Sequence, residues 1–170
     1  MALRLVCLLL MAAWPAAGQT LDPRSVEGVY RYRFPNALVT GETFRSENTM
    51  EVVRVAPGAA YLRLELTFFN GHGCSLRAVA RVEGNELVHR RGERDGEPAC
   101  TLRLRFDGGR ATLSDADGGC RASACGARGG FEGMGFATAS RRAITDMARL
   151  RASREFREAM AEFEGRAPPR

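Results

Sequence analysis

The 170-residue sequence contains no lysine and only two histidines, so all 25 of its basic side chains are arginines. This arginine-only set, with abundant alanine and glycine, indicates a gene of high G+C content, and part of the arginine count is therefore codon bias. The scarcity of histidine leaves general acid–base catalysis without an obvious participant. The sequence also lacks Gly-x-Ser-x-Gly, His-Glu-x-x-His, a phosphate loop and the dinucleotide fingerprint. These absences favour a protein that is not an enzyme and needs no cofactor.

Long apolar runs are absent as well. The longest, Leu5–Ala13, is too short to cross about 30 Å of hydrocarbon, which takes about 20 residues. The run follows a single charge at Arg4 and precedes the small residues Ala16-Ala17-Gly18. This order is typical of a signal peptide, here residues 1–18, which takes Cys7 with it on cleavage. We therefore expect a periplasmic or secreted protein with no transmembrane segment.

The mature chain is one domain long and nearly neutral. Cleavage near Gly18 leaves 152 residues, enough for one domain with a hydrophobic core. Residues 19–137 carry sixteen arginines against fifteen acidic residues, and residues 138–170 carry eight against five. Such a balance differs from the strongly basic surfaces that bind nucleic acids, so we expect no nucleic-acid partner.

Alternation of apolar and polar residues dominates from Val26 to about Ala137. A period of two is typical of strands with one buried and one solvated face. The runs cover Tyr30–Phe34, Thr49–Val55, Leu62–Phe68, Cys74–Val82, Glu86–Arg90, Cys100–Phe106, Arg110–Ser114 and Gly130–Ala137. Glycine-containing turn segments separate them. The pattern predicts a mainly β domain over residues 19–137, with about eight antiparallel strands in a small barrel or a sandwich.

A helical period replaces the alternation from residue 138 onwards. The apolar positions of one helical face are Ile144, Ala148, Ala152, Phe156, Ala159, Met160 and Phe163. Because Ser140 and Ser153 can each cap a helix, we expect one kinked helix or two short helices over residues 138–164, packed on the β domain. Gly165 ends the helix before a disordered tail at residues 165–170. An alternative is weak contact of the arginine-rich helix with the anionic envelope surface.

Four cysteines, Cys74, Cys100, Cys120 and Cys125, remain after the signal is removed. An even number in an exported chain of this size predicts two disulfides, for which three pairings are possible. We favour Cys74 with Cys100, because both begin strands with the same inward parity. The second pair is then Cys120 with Cys125, which closes a short loop.

Two other uses of these cysteines are disfavoured by spacing. A zinc site takes cysteines two to four residues apart or clustered histidines, and the chain offers only His72 and His89. A redox pair takes Cys-x-x-Cys at the start of a helix, whereas Cys120 and Cys125 lie in a glycine-rich segment with four residues between them. We therefore expect structural disulfides and no metal.

The segment Asp115–Phe131 combines the second cysteine pair with many glycines. A cross-linked loop loses little conformational entropy on binding, so it is our candidate for contact with a partner. The predicted binding residues are Arg121, Ser123, Arg128 and Glu132, the last of which can form a polar pocket with Arg128. An alternative is that the loop merely closes one end of the barrel.

The cysteine-containing segments carry a resemblance to small uncharacterised secreted proteins of proteobacteria. They are Gly-His-Gly-Cys-Ser-Leu-Arg-Ala-Val-Ala at residues 71–80, Cys-Thr-Leu-Arg-Leu-Arg-Phe at 100–106 and Cys-x4-Cys-Gly-Ala-Arg-Gly at 120–129. Leu-Ser-Asp at 113–115 and the segment 147–156 extend the resemblance. In its β-rich architecture and its disulfide-forming cysteines the chain also resembles periplasmic lysozyme inhibitors, which are compact antiparallel β proteins. That second resemblance implies a fold and does not fix a function.

Together these features predict an exported binding or inhibitor protein of the bacterial envelope, acting on a protein such as a lysozyme-type cell-wall hydrolase. Two alternatives stay open. One is a carrier that holds a small apolar ligand inside the barrel, and the other is an enzyme of unrecognised type.

Overall fold

A computed structural model describes residues 20–166 of the chain. The predicted signal peptide, residues 1–18, and the part of the predicted tail beyond residue 166 lie outside the described residues. Eight strands form one antiparallel sheet in which each strand pairs with its neighbours in sequence. The strands are β1 Gly28–Ala37, β2 Thr43–Ala56, β3 Ala59–Thr67, β4 Gly73–Glu83, β5 Glu86–Arg91, β6 Cys100–Asp107, β7 Arg110–Ser114 and β8 Gly135–Ala137. The predicted mainly β fold of eight antiparallel strands is confirmed.

The sheet curls into a nearly closed barrel. The chain just beyond β8 reaches β1, where the backbones of Val29 and Arg142 exchange two hydrogen bonds of 2.9 Å each. Two residues further along β1, the backbone N–H of Arg31 donates to the Ser140 hydroxyl at 3.3 Å. These bonds join the first strand to the chain after the last one, so the architecture is a barrel rather than two stacked sheets.

The inward side chains of the strands fill the barrel. The largest of them are each less than 2% exposed: Tyr30, Met50, Leu62, Leu64, Leu87, Leu102, Leu104, Leu113 and Phe136. Burial of one such side chain contributes about 1.5–3 kcal/mol to stability. The alternation in the sequence therefore predicts most of the core-facing positions, but it fails in β1, where Tyr32 is 51% exposed although it has the same parity as Tyr30.

Short helices lie at both ends of the barrel. At one end, α1 (Pro23–Val26) is capped by Asp22, and the preceding Leu21 donates its N–H to the carbonyl of Gly84 in the turn between β4 and β5 at 2.8 Å. At the other end, where β4 and β6 begin, lies α2 (Gly119–Ala124). The sequence predicts a loop at α2, and that prediction is wrong.

Two further helices follow the barrel. Of the two predicted alternatives, one kinked helix or two short helices, the second is therefore correct. They are α3 (Met147–Ala152) and α4 (Arg154–Phe163), and Ser153 separates them by accepting the N–H of Phe156 at 3.2 Å. The predicted helix start at Ser140 is wrong. The backbone of Arg142 forms strand-like hydrogen bonds with β1, so a helix cannot form at that position. The first helix begins later, and Asp146 caps α3 instead. Gly165, with φ +67°, ends α4 as predicted.

Helix α4 packs on the outer face of the sheet. Phe156 lies against Tyr61 of β3, with ring centroids 4.9 Å apart, and Ala159 joins the same buried cluster. The predicted helical face is correct for α4 and wrong for α3, where Ala148 and Ala152 are exposed. The break at Ser153 sets the two helices out of phase, so one helical stripe cannot continue through both.

The starts of β2 and β8 differ most from the sequence prediction, and β1 and β3 also begin two or three residues earlier than predicted. β2 begins at Thr43 rather than Thr49, in a part of the strand where polar residues hide the alternation. β8 is shorter than predicted, because the chain turns between Phe131 and Met134, whose N–H donates to the Phe131 carbonyl at 3.0 Å. Gly133 supplies the φ of +71° in this turn, which places Phe131 inside the core.

Candidate functional site

The cysteines form two disulfides, and the predicted pairing is wrong. Cys74 is bonded to Cys125, and Cys100 is bonded to Cys120. β5 lies between β4 and β6, so Cys74 and Cys100 are not cross-strand neighbours. Cys120 lies in α2 and Cys125 ends it. Five residues of helix rise about 7.5 Å, which is more than the Cα separation of about 6.8 Å that a disulfide spans.

Both disulfides attach α2 to the strands beneath it. Cys74 begins the inward positions of β4, and Cys100 is the first residue of β6. On the chain-entropy model, the bridges close loops of 51 and 20 residues and contribute about 4 and about 3 kcal/mol. We call residues 115–132, which include α2, the stapled end. It closes this end of the barrel.

Asp115 organises the stapled end from a buried position. Its carboxylate accepts the backbone N–H groups of Cys120 at 3.1 Å and Arg121 at 2.8 Å, in the first turn of α2. Its own N–H donates to the carboxylate of Glu132 at 2.6 Å. This role of Asp115 was not predicted from the sequence, although an aspartate followed by glycines just before a short helix is a signal for it.

Two of the predicted binding residues hold the stapled end together. The guanidinium of Arg121 donates to the carbonyls of Gly129 at 2.8 Å and Ala127 at 3.0 Å. The Ser123 hydroxyl accepts a hydrogen bond of 3.0 Å from Arg91 at the end of β5. These contacts stiffen the segment, while Arg121 remains exposed at the surface.

The other two predicted residues, Glu132 and Arg128, do not interact with each other. Glu132 is engaged by Asp115 and by the hydroxyl of Ser114 at 3.1 Å, and it forms no ion pair with Arg128. Arg128 is exposed and has no hydrogen bond or ion pair with any residue between 20 and 166. Of the four candidates, Arg128 is therefore the one whose charge is fully available at the surface.

A second candidate site was not found from the sequence. It is a cleft of about 500 Å³ between the outer face of the first strands and the segment from Arg142 to Glu155. The charged side chains that line it are Arg31, Glu51, Arg63, Arg77, Arg142, Asp146, Arg149 and Glu155. We call it the arginine cleft. Its residues come from strands and helices far apart in sequence, so no local motif marks it.

The sheet wall of the arginine cleft is a row across four strands. Val29, Glu51, Arg63 and Arg77 lie directly opposite one another in the register of β1 to β4. One carboxylate oxygen of Glu51 accepts a 2.9 Å hydrogen bond from Arg63. The other, Oε2, is buried and has no hydrogen-bond partner among residues 20–166, and the same is true of Nε of Arg63. Buried polar atoms are almost always paired, so this ion pair contains one unpaired acceptor and one unpaired donor.

Tyr61 adds a hydroxyl to the same wall. Burial raises the pKa of Tyr61 to about 12, against the opposing effect of Arg63 and Arg77. The phenol is therefore protonated at neutral pH and can donate a hydrogen bond. Its hydroxyl has no hydrogen-bond partner in the described part of the chain.

The opposite wall presents a free cation. The guanidinium of Arg149 in α3 has no ion pair or hydrogen bond with residues 20–166, whereas Arg142 donates to the carbonyls of Ala139 and Arg141 at 3.0 and 2.8 Å. Glu155 at the start of α4 has a lowered pKa, chiefly because its carboxylate bonds its own backbone N–H, with Arg77 also contributing. The walls thus carry charges of both signs.

Neither histidine lies in the arginine cleft. His89 is buried beneath α4, with Nδ1 3.1 Å from the carbonyl of Val79, and burial lowers its pKa. His72 lies beside Gly126 at the stapled end. Within residues 20–166, no three His, Cys, Asp or Glu side chains are placed to hold a metal ion.

No family model, curated protein or solved structure matches this chain. The resemblance to small secreted proteobacterial proteins and to periplasmic lysozyme inhibitors therefore stays a prediction. Across residues 20–166, no helix is both long enough and apolar enough to cross a membrane. Two disulfides indicate that the protein folds in a non-reducing compartment.

Proposed function

We propose that this protein is an exported binding protein of the bacterial envelope that contacts a protein partner through the stapled end. The order of charged, apolar and small residues at the start of the chain supports export, and so do the two disulfides. The periplasm and the extracellular medium both fit these features.

The observation that carries the proposal is the convergence of both disulfides on α2. The two bridges and the contacts of Arg121 fix the backbone of this segment before any partner arrives. A surface that is already ordered loses little entropy on binding. Arg128 then presents an unpaired charge from a rigid support, which suits recognition of an acidic site on a partner.

The partner class we propose is a lysozyme-type cell-wall hydrolase, whose activity the protein inhibits. The test is a turbidity assay with several lysozyme types and the purified mature protein. The variant Arg128→Glu should lose inhibition. Arg105→Glu is the matched control, because Arg105 is also exposed and lies about 17 Å along β6 from Cys100. Lysis unaffected by the mature protein for every lysozyme type would contradict this partner class.

The carrier alternative has less support. It needs space inside the barrel, and the interior positions are occupied by large buried side chains such as Leu62, Leu104 and Phe136. The envelope-contact alternative for the helices is also weakened, because Arg154 is paired with Glu158 at 2.6 Å and Phe163 is covered by Arg81. An enzyme of unrecognised type would be indicated by turnover of a substrate, with the arginine cleft as its place of action.

A further inference from the structure

The large hydrophobic side chains that stay exposed lie in one part of the fold. Within residues 20–166 they are Tyr32, Val39, Phe44 and Phe69, which are between 36% and 74% exposed. All four belong to the β1–β2 hairpin or to the turn between β3 and β4. Single exposed hydrophobic residues are ordinary on a protein surface, whereas patches of them mark interaction sites. We call these four residues, with the half-buried Phe34, the hairpin patch.

The hairpin patch is exposed because the hairpin extends beyond the closure of the barrel. β1 is hydrogen-bonded to the chain after β8 at Val29 and Arg31. Among the described residues, no backbone–backbone hydrogen bond follows on that edge at residues 33–37. Tyr32 and Phe34 have inward parity but lie past this closure, where their rings stack with centroids 5.4 Å apart. They form a large and rigid apolar contact surface.

Polar side chains hold the hairpin and the neighbouring turn together. The buried Asn36 donates to the carbonyl of Phe68 at 3.0 Å, directly before Phe69. In the turn of the hairpin, the N–H of Val39 donates to the side-chain oxygen of Asn70 at 3.2 Å. The parts of the patch are therefore fixed relative to one another, and a partner that covers the patch orders little that is mobile.

The hairpin patch continues into the stapled end. Because neighbouring strands are antiparallel, β1 ends and β2 begins at the same end of the barrel at which β4 and β6 begin. Shortly after Phe69 the chain reaches Gly73, whose carbonyl accepts the N–H of Gly126 at 2.8 Å. The N–H of Gly129 donates to the Gly126 carbonyl at 2.9 Å and closes the turn that carries Arg128. Exposed aromatic side chains and an unpaired cation therefore share one end of the molecule.

The size of the hairpin patch indicates how it is covered. Since an aromatic side chain has about 150–250 Å² of surface, the exposed fractions amount to about 300–400 Å². A stable protein–protein interface takes about 800 Å² from each partner, so the patch alone is too small. The adjoining stapled end supplies further surface together with the charge of Arg128.

Two other occupants fit the hairpin patch less well. Pairing of β1 with the same strand of a second copy is hindered by Pro35, which lies on the open edge and has no N–H to donate. A membrane surface would meet the turn of the hairpin, where the exposed Glu42 is repelled by anionic lipid. A protein partner that spans the patch and the stapled end meets neither obstacle.

We propose that the partner of the stapled end also covers the hairpin patch, and that it is a protein with apolar side chains beside an acidic residue. The apolar side chains pack on Tyr32, Phe34 and Phe69, and the acidic residue pairs with Arg128. The proposal rests on the proposed function, because it assigns the remaining surface that the same partner uses.

The first experiment is photo-cross-linking with the mature protein, in which p-benzoylphenylalanine replaces Tyr32. The sample is a bacterial periplasmic extract to which the lysozymes of the turbidity assay are added, and mass spectrometry identifies the products. One control bait carries the same group at Asn85, which is exposed in the β4–β5 turn at the opposite end of the barrel. Another carries it at position 32 together with Arg128→Glu.

We expect one protein to be cross-linked from position 32, and neither from position 85 nor in the presence of Arg128→Glu. Its cross-linked segment should contain apolar residues and an aspartate or a glutamate. The purified protein then allows calorimetry with variants of the hairpin patch. Tyr32→Ser and Phe69→Ser should each weaken its binding about tenfold or more, because covered aromatic residues are binding hot spots. Asn85→Ser is the matched control and should bind as the parent does.

The outcomes separate this inference from the proposed function. Binding that requires Arg128 but is unchanged by Tyr32→Ser and by Phe69→Ser would overturn the inference and leave the proposed function standing. Binding that requires Tyr32 but not Arg128 would contradict both, because the stapled end would then lie outside the interface. The use of two separate aromatic positions keeps the test valid if one variant fails to fold.

Three further results would also overturn the inference. One is a cross-link from position 32 only to a second copy of the chain. Another is binding of the parent to vesicles of anionic lipid that Tyr32→Ser abolishes. The third is the absence of any product from position 32.

Discussion

Cys125, the residue that ends α2, is bonded to Cys74 at the start of β4, and their Cα atoms lie 4.0 Å apart. The cysteine five residues earlier, Cys120, is bonded to a different strand. Helix α2 is therefore held at both of its ends across the opening of the barrel. A segment of this kind can act as a rigid surface, because its unfolding requires the loss of contacts to two strands.

The first prediction concerns the pairing of the cysteines. In the variant Cys120→Ser/Cys125→Ser, both disulfides are lost, because each of them ends on one of the replaced residues. Two free thiols, those of Cys74 and Cys100, should then react with an alkylating reagent in the denatured protein, as measured by mass spectrometry. If Cys120 were bonded to Cys125, the same variant would keep the other bridge and show no free thiol.

A second prediction concerns the contribution of each bridge to stability. Replacing Cys74 and Cys125 together by alanine should lower the free energy of unfolding by about 4 kcal/mol, and replacing Cys100 and Cys120 by about 3 kcal/mol. The difference arises because the first bridge closes the longer loop, 51 against 20 residues. Urea unfolding monitored by circular dichroism gives both values. A reversed order would mean that native-state strain or residual structure outweighs loop entropy.

A third prediction concerns the close approach of α2 to the strand below. A Cβ atom on Gly119 would lie 1.8 Å from the carbonyl oxygen of Ala99, so Gly119→Ala must displace the helix or the strand. We expect a loss of about 2–4 kcal/mol in urea unfolding. Gly92→Ala is the control, since a Cβ atom there meets nothing within 4 Å. Equal stability of the two variants would contradict the placement of α2.

A fourth prediction concerns pH and His89. Burial lowers the pKa of His89 in the folded state below its ordinary value of 6.5, against the opposing effects of the hydrogen bond to the Val79 carbonyl and of Glu162. Between the two pKa values the unfolded chain binds a proton that the folded chain does not, so the free energy of unfolding falls as the pH drops below about 6.5. In urea unfolding at about pH 7.5 and about pH 5.5, His89→Gln should reduce this fall.

Gly92→Ala is the control for that measurement, because it replaces no ionisable group. It should leave the pH dependence of stability as it is in the parent protein. A pH dependence that is the same in the parent and in His89→Gln would mean that another group carries the titration.

Local features of the fold were predictable from sequence because they depend on neighbours in the chain. Alternation gives the number of strands and their inward faces. Ser153 and Gly165 act within one helical turn of their own position, and both predictions are confirmed. The helix start at Ser140 failed for a non-local reason, namely the backbone bonds between Arg142 and Val29.

The candidate sites were predictable only in part. The glycine-rich, cysteine-bearing segment stands out in the sequence, but its pairing depends on β5 lying between β4 and β6. Arg121 and Ser123 stand out as polar residues of this segment, but their bonds to backbone carbonyls and to Arg91 depend on the folded chain and could not be predicted from spacing. Glu51 and Arg149 line the same cleft although almost a hundred residues separate them in the chain, and no sequence spacing indicates that they do.

The most direct test of the central claim, that the stapled end binds a protein partner, is affinity capture from a bacterial periplasmic extract. Mature protein, Arg128→Glu and Arg105→Glu serve as baits, and the bound proteins are identified by mass spectrometry. We expect a partner protein that is captured by the parent bait and by the Arg105→Glu bait but not by the Arg128→Glu bait. Retention of the same proteins by all three baits, or capture of none by the parent, would contradict it.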